Sequence, residues 1–113
     1  EQICKLILFA PKGTSFYDFS GVDEGLVLSL ISEMDEAYIV IDPLPSKLLK
    51  SARFIEKLKL SYPKAVFVVN RMNKGVHKPE LKKFLGTDFI EVPAYPIDQI
   101  YGAEYNCSIC DFT

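Results

Sequence analysis

Residues 65–75, AVFVVNRMNKG, contain the strand that decides the fold. An unbroken apolar run leads directly into Asn70 and Arg71, and a loop that ends in Lys74 and Gly75 follows. A short apolar run rich in β-branched residues is typical of a strand that is buried on both faces of a parallel sheet. Because open α/β sheets bind their ligands beyond the carboxyl ends of such strands, Asn70 and Arg71 are the first candidates for a binding site.

Similar apolar runs lie on both sides of this segment, separated by helical patterns. The predicted strands are residues 3–10, 37–42, 65–70 and 89–92. An apolar stripe at helical spacing separates the first two: Val27, Leu30, Ile31 and Met34. The alternation predicts an α/β fold, namely a three-layer αβα sandwich with a mainly parallel sheet of about four strands.

Three further helices are predicted downstream. One follows two prolines, with Ser46 as its expected N-cap. Its predicted inner face comprises Leu48, Leu49, Ala52, Ile55 and Leu58, and its outer face is basic, with Lys47, Lys50, Arg53 and Lys57. Pro79 is expected to open the next helix and Gly86 to end it. The last helix carries Ile97, Ile100 and Tyr101.

The composition fits one globular domain. The chain of 113 residues is 49% hydrophobic and 25% charged, and its formal net charge of -2 gives no electrostatic reason to expect nucleic acid. No apolar run approaches the ~20 residues that span a bilayer. We expect residues 1–113 to be a single α/β domain of a longer protein. Three cysteines without a secretory signal indicate a reducing cytoplasm.

Four segments, in this order, resemble the carboxyl-terminal two-thirds of the MinD/ParA family of deviant Walker ATPases. They are LILFAPKG (6–13), DEA (35–37) with YIVIDPLPSKLLKSARFIEKLK (38–59), VVNR (68–71) and EVPAYPIDQIYGAEYNCSI (91–109). The first is similar to the family's Walker B strand and the loop after it. The third is similar to its adenine-side motif. The resemblance covers nearly the whole chain and implies a P-loop NTPase-like fold.

Two elements of that family have no counterpart in this sequence. The glycine-rich P-loop, which cradles phosphates, would lie upstream of Glu1. The Walker B aspartate, which helps to hold Mg²⁺, would fall on Phe9 or Ala10, and neither residue binds a metal. The chain therefore resembles degenerate members such as the CpaE-like proteins of pilus assembly, and Mg²⁺ is not expected to bind to it alone. Lys12 and Gly13 correspond to a switch-like loop in this resemblance.

The resemblance implies an adenine nucleotide, ATP or ADP, as the ligand. Asn70 and Arg71 lie in the adenine-side motif, and Pro93 and Tyr95 follow the last strand beside it. The amide of Asn70 matches the N6/N1 edge of adenine. Asn also ends strands as an ordinary turn residue, so this alternative stays open. Arg71 either stacks on a purine or pairs with a carboxylate, or it is a solvated surface residue.

These observations leave three functions open. The first is a degenerate nucleotide-binding domain that acts by nucleotide-biased association with itself or a protein partner, with little or no ATP hydrolysis by this chain alone. The second is a non-catalytic interaction module whose docking loop carries Phe16, Tyr17 and Phe19. The third is a receiver-like or flavodoxin-like domain, for which Asp42 and Lys74 supply only part of the required pattern.

Other motifs are weaker. Cys107 and Cys110 form a CxxC, which is typical of redox or zinc sites, but the resemblance assigns this region to a closing turn. His77 is expected on the surface. The basic helix face is either solvated or a site for phosphate or anionic lipid. No amphipathic helix follows Asn106, so we expect any membrane association to be peripheral and through a partner.

Overall fold

The computed structural model describes Gly13 and residues 15–106, in which helices and strands alternate. The elements are α1 (Glu24–Leu30) with a 3-10 turn (Ile31–Glu33), β1 (Tyr38–Ile41), α2 (Pro45–Ser61), β2 (Val66–Met72), α3 (Lys78–Leu85), β3 (Phe89–Pro93) and α4 (Ile97–Tyr105). The predicted α/β class is therefore confirmed. The strand predicted at residues 3–10 lies outside the described residues, as do Lys12 and the CxxC.

The three described strands form an open parallel sheet in the order β1-β2-β3. Val40 pairs with Val68, and Val68 pairs in turn with Ile90. All carboxyl ends therefore lie along one edge of the sheet. Both connections move in the same direction across it, so right-handed crossovers place α2 and α3 on the same face.

The hydrophobic core lies between that face of the sheet and the helices. Its buried members are Ile31, Ile41, Ile55, Leu58, Tyr62, Phe67, Val69, Leu81 and Leu85. Leu58 of α2 and Val69 of β2 have no exposed surface. Tyr62 is also anchored by a hydrogen bond, because its hydroxyl donates to the Met34 carbonyl at 3.0 Å.

The opposite face of the sheet is apolar and open within the described part of the chain. Tyr38, Val40 and Ile90, which share this face by register, are 57%, 66% and 48% exposed. The apolar runs predict strands that are covered on both faces of the sheet. Within residues 15–106 only one face of the sheet is covered, because the crossover helices α2 and α3 both pack on the same side. The third layer of the sandwich stays a prediction.

Two details of α2 differ from the sequence prediction. The helix begins at Pro45 with Leu44 as N-cap, so the prediction of Ser46 as N-cap is wrong. Proline suits the first helical position because the missing N–H has no partner there. Leu49 is 76% exposed and does not belong to the inner face. At about 100° per residue it lies beyond the stripe that runs from Leu48 to Leu58. The basic outer face is exposed, as predicted.

The end of α3 agrees with the prediction. Gly86 is the C-cap, with φ of 74° in the left-handed region. Lys59 reaches across from α2, and its Nζ donates to the Phe84 carbonyl at 2.7 Å. This ammonium group satisfies one of the last carbonyls of α3 and complements the negative end of the helix dipole.

Gly86→Ala is expected to lower the free energy of unfolding by about 1–2 kcal/mol. The left-handed backbone disfavours a side chain, and the new Cβ would lie 3.3 Å from Lys59 Nζ. Urea denaturation followed by circular dichroism measures the change. Gly102→Ala in α4 is the matched control, since its Cβ meets no atom within 4 Å and alanine favours a helix. Equal losses in both variants would contradict the role of Gly86.

The predicted last helix is present as α4, but its apolar residues face solvent. Ile97, Ile100 and Tyr101 are 70%, 46% and 57% exposed. Ala103 is the buried residue of this helix. None of its residues belongs to the core cluster of the described chain.

Candidate functional site

The carboxyl edge of the sheet brings together the residues that the sequence predicted for the adenine side. Asn70 and Arg71 lie near the end of β2, and Pro93 ends the neighbouring β3. Pro93 pairs with Met72, and the N–H of Ala94 donates to the Met72 carbonyl at 3.1 Å. Tyr95 follows this turn and is half-buried. The structure places these residues at one edge, and their role there stays a prediction.

A β-bulge interrupts the pairing of β2 with β3 at this point. Val69 pairs with Glu91 and Met72 with Pro93, so β2 carries one extra residue over this interval. Arg71 adopts φ of 59°, and no other non-glycine residue in the described part of the chain has a positive φ. This conformation costs an ordinary residue about 1–2 kcal/mol. Bulges can re-aim side chains, and Arg71 is the residue of this bulge that adopts the left-handed conformation.

Side-chain amides on both sides hold Arg71 in this conformation. Asn70 Oδ1 accepts from the Arg71 N–H at 3.0 Å, and Asn73 Nδ2 donates to the Arg71 carbonyl at 2.9 Å. Asn73 Oδ1 also accepts from the Gly75 N–H at 2.8 Å. Asn70 therefore has the turn role that the sequence left open. Its Nδ2 donates to no group within residues 15–106.

An edge cluster is formed by Asp42, which directly follows β1, Lys47 of α2 and Arg71 of β2. Asp42 Oδ1 accepts from the Leu44 N–H at 3.0 Å. Its Oδ2 lies 3.2 Å from Lys47 Nζ and 3.9 Å from an Arg71 guanidinium nitrogen. The Leu44 N–H, helped by the two cations against partial burial, lowers the pKa of Asp42 below its ordinary value. Asp42 is thus ionised at neutral pH.

Lys47 belongs to this cluster, although the sequence predicts it only for the basic helix face. A signal was present, because an Asp at a strand end followed by a Lys in the first turn of the next helix brings the two side chains together. Asn73 was also missed. Its position two residues after Arg71 and before Lys74-Gly75 is typical of a side chain that stabilises a turn.

The low pKa of Asp42 predicts a pH dependence of stability. A carboxyl group whose pKa is lower in the folded state contributes stability above its ordinary pKa of about 3.9, and this is lost as the pH falls through the folded value. The free energy of unfolding of Asp42→Asn should therefore fall less steeply than wild type below about pH 4. Urea denaturation at stepwise pH measures both curves. Glu56→Gln, an exposed change on α2, is the control, and parallel curves for Asp42→Asn and wild type would contradict the prediction.

The remaining predicted residues do not join this edge cluster. Gly13 is exposed with φ of 120°, and the switch-like loop stays a prediction. Phe16 is 93% exposed, whereas Tyr17 and Phe19 are half-buried. Lys74 is exposed in the turn after β2, and the described residues contain no group of three His, Cys, Asp or Glu side chains that could hold a metal. A receiver-like acidic cluster is therefore not seen in that part of the chain.

His77 is the exposed N-cap of α3, as expected for a surface residue. Among the helices of residues 15–106, none is long and apolar enough to cross a membrane. No protein-family model, curated protein or solved structure matches the chain. The fold and the site define a parallel α/β sheet protein with a polar, bulged carboxyl edge.

Proposed function

We propose that the protein is a degenerate nucleotide-binding domain of the MinD/ParA type, with a P-loop NTPase-like fold, that binds an adenine nucleotide at the carboxyl edge of its sheet. The observation that carries this proposal is the bulge at Asn70 and Arg71. Ligands of open α/β sheets bind at this edge. Strained backbone of the kind found at Arg71 is concentrated at functional sites.

The amide of Asn70 is suited to the adenine edge. Asn70 is exposed, and its Nδ2, which donates to no group within residues 15–106, can donate to N1 of the base. A carbonyl oxygen has two acceptor sites, so Oδ1 can accept from the adenine N6 amino group while it keeps the Arg71 N–H. Pro93 ends the neighbouring strand β3, Tyr95 lies two residues after it, and both provide apolar surface beside the base.

Hydrolysis is expected to be slow or absent in this chain alone. Phosphoryl transfer depends on positioned charges around the phosphates. The sequence has Phe9 or Ala10 where the resembled family has a Mg²⁺-binding carboxylate. We therefore propose that the nucleotide biases association of this domain with itself or with a protein partner in the cytoplasm.

Calorimetric titration with ATP and ADP tests this function. GTP is the control for the base, and each nucleotide is titrated with and without Mg²⁺. Micromolar binding of the adenine nucleotides with weaker binding of GTP supports the proposal. No binding up to millimolar concentration, or equal binding of GTP, contradicts it.

A second candidate, a protein-interaction module, is favoured by the exposed apolar surface. Phe16 is almost entirely exposed, and Tyr38, Val40 and Ile90 form an open apolar face within the described residues. Aromatic side chains of this kind are enriched at protein interfaces. Sedimentation at several concentrations, with and without ATP, separates the two candidates. Self-association of the same extent with and without ATP favours the interaction module. Self-association whose extent changes with ATP favours the nucleotide-binding domain.

A further inference from the structure

The edge cluster contains more positive than negative charge. Lys47 and Arg71 come from different elements and converge on the same oxygen of Asp42. Their charged atoms are therefore separated by at most the sum of the two distances to that oxygen, which an oxyanion can bridge. The side chains of Lys47 and Arg71 are 55% and 69% exposed, whereas that of Asp42 is 23% exposed. Both cationic side chains are thus more exposed to solvent than the carboxylate that they share.

The backbone of β2 is adapted to keep Arg71 in this position. An Arg at an ordinary position in the strand would avoid the left-handed conformation. Here the side chains of Asn70 and Asn73 bind both the N–H and the carbonyl of the residue. A solvated arginine needs no such support, because its side chain would gain the same hydration from any extended position.

The position of the cluster relative to Asn70 sets the direction of a bound nucleotide. Asp42 and Lys47 lie at the β1 side of the edge, and Pro93 lies at the β3 side. Asn70 and Arg71 are on the middle strand between them. A base held by Asn70 against the β3 side would leave the β1 side of the edge, where the edge cluster lies, for its sugar and phosphate.

We propose that Lys47 and Arg71 form an oxyanion subsite at the carboxyl edge, and that it binds a phosphate group of the nucleotide. The nucleotide as the source of that phosphate rests on the function proposed above. Guanidinium and ammonium groups form strong, charge-assisted hydrogen bonds to phosphate oxygens. Asp42 competes with the ligand for both cations. Asp42 thus positions the two side chains when the site is empty and weakens anion binding by its own charge.

Adenosine, AMP and inorganic phosphate are the probes that test this subsite. Titration of the wild-type chain should give tighter binding of AMP than of adenosine. Lys47→Gln should weaken AMP binding about three- to tenfold, as expected for a charged group at an exposed site, and leave adenosine binding unchanged. Arg71→Gln should weaken AMP binding by a similar factor, and more than it weakens adenosine binding. Asp42→Asn should tighten AMP binding, because it removes the competing charge and keeps an oxygen for the Leu44 N–H. If Asp42 served only to hold the structure of the site, Asp42→Asn would instead weaken AMP binding.

The matched control is Lys57→Met. Lys57 belongs to the same exposed basic face of α2 but lies ten residues from Lys47, about 15 Å along the helix. Circular dichroism checks that every variant is folded. Raising the salt concentration should weaken AMP binding and leave the affinity for adenosine unchanged, because adenosine carries no phosphate charge.

The outcomes separate the two proposals. If AMP and adenosine bind equally, or if Lys47→Gln and Arg71→Gln change AMP binding no more than Lys57→Met, the oxyanion subsite is overturned while base recognition stands. If adenosine does not bind but inorganic phosphate does, and binding depends on Lys47 and Arg71, the subsite stands and the nucleotide function fails. If none of the three probes binds, both proposals are wrong.

Discussion

Replacing Leu58 by alanine is expected to lower the free energy of unfolding by about 3 kcal/mol, within the range of about 2–5 kcal/mol typical of such core truncations. Leu58 has no exposed surface and belongs to the core cluster together with Phe67 and Val69 of β2. The loss has two parts: three fewer carbon atoms are buried, and a cavity is left where they were. Because the total free energy of unfolding of a domain is about 5–15 kcal/mol, this change removes a large share of its stability.

Leu49→Ala is the control for this prediction. It makes the same chemical change on the same helix, but Leu49 is 76% exposed. We expect its free energy of unfolding to stay within about 0.5 kcal/mol of wild type. Chemical denaturation of the three proteins, followed by circular dichroism, gives the comparison. Similar losses for Leu58→Ala and Leu49→Ala would show that the two faces of α2 are not distinguished by packing.

These two leucines also illustrate how far the sequence predicts the fold. The strands were predictable because continuous apolar runs separated by helical patterns are characteristic of parallel sheets. Leu48 and Leu49 are adjacent, and helical spacing alone places either one on an apolar stripe. Only the packing of α2 on the sheet, with Leu58 buried and Leu49 exposed, decides between them. The start of α2 at Pro45 depends on equally local detail.

The candidate site was predictable in position but not in conformation. Asn70 and Arg71 followed from their place at the end of an apolar run. The bulge does not follow from the sequence, because it depends on the register between β2 and β3, and the whole of α3 separates these strands. The pairing of Lys47 with Asp42 depends on where α2 begins. The pair of asparagines around Arg71 was the signal in the sequence that an unusual backbone conformation occurs there.

Asn70 carries the second large prediction, because two single-residue changes separate its turn role from its proposed ligand role. Asn70→Ala removes both the acceptor for the Arg71 N–H and the donor Nδ2. It should weaken ATP binding at least tenfold and also lower the free energy of unfolding by about 1 kcal/mol. Asn73→Ala disturbs the same turn through the Arg71 carbonyl, but it should leave the preference for ATP over GTP unchanged.

Asn70→Asp keeps an oxygen for the Arg71 N–H, so the turn should remain, but it replaces the donor Nδ2 by a second acceptor. Adenine N1 is an acceptor and is then repelled, whereas guanine presents donors at N1 and at its 2-amino group. We therefore expect Asn70→Asp to lose at least tenfold in affinity for ATP and to prefer GTP. Calorimetric titration of wild type and the three variants with both nucleotides measures the preference. If Asn70→Asp binds ATP as wild type does, Asn70 contacts no base and only the turn role remains, because the aspartate preserves that role alone.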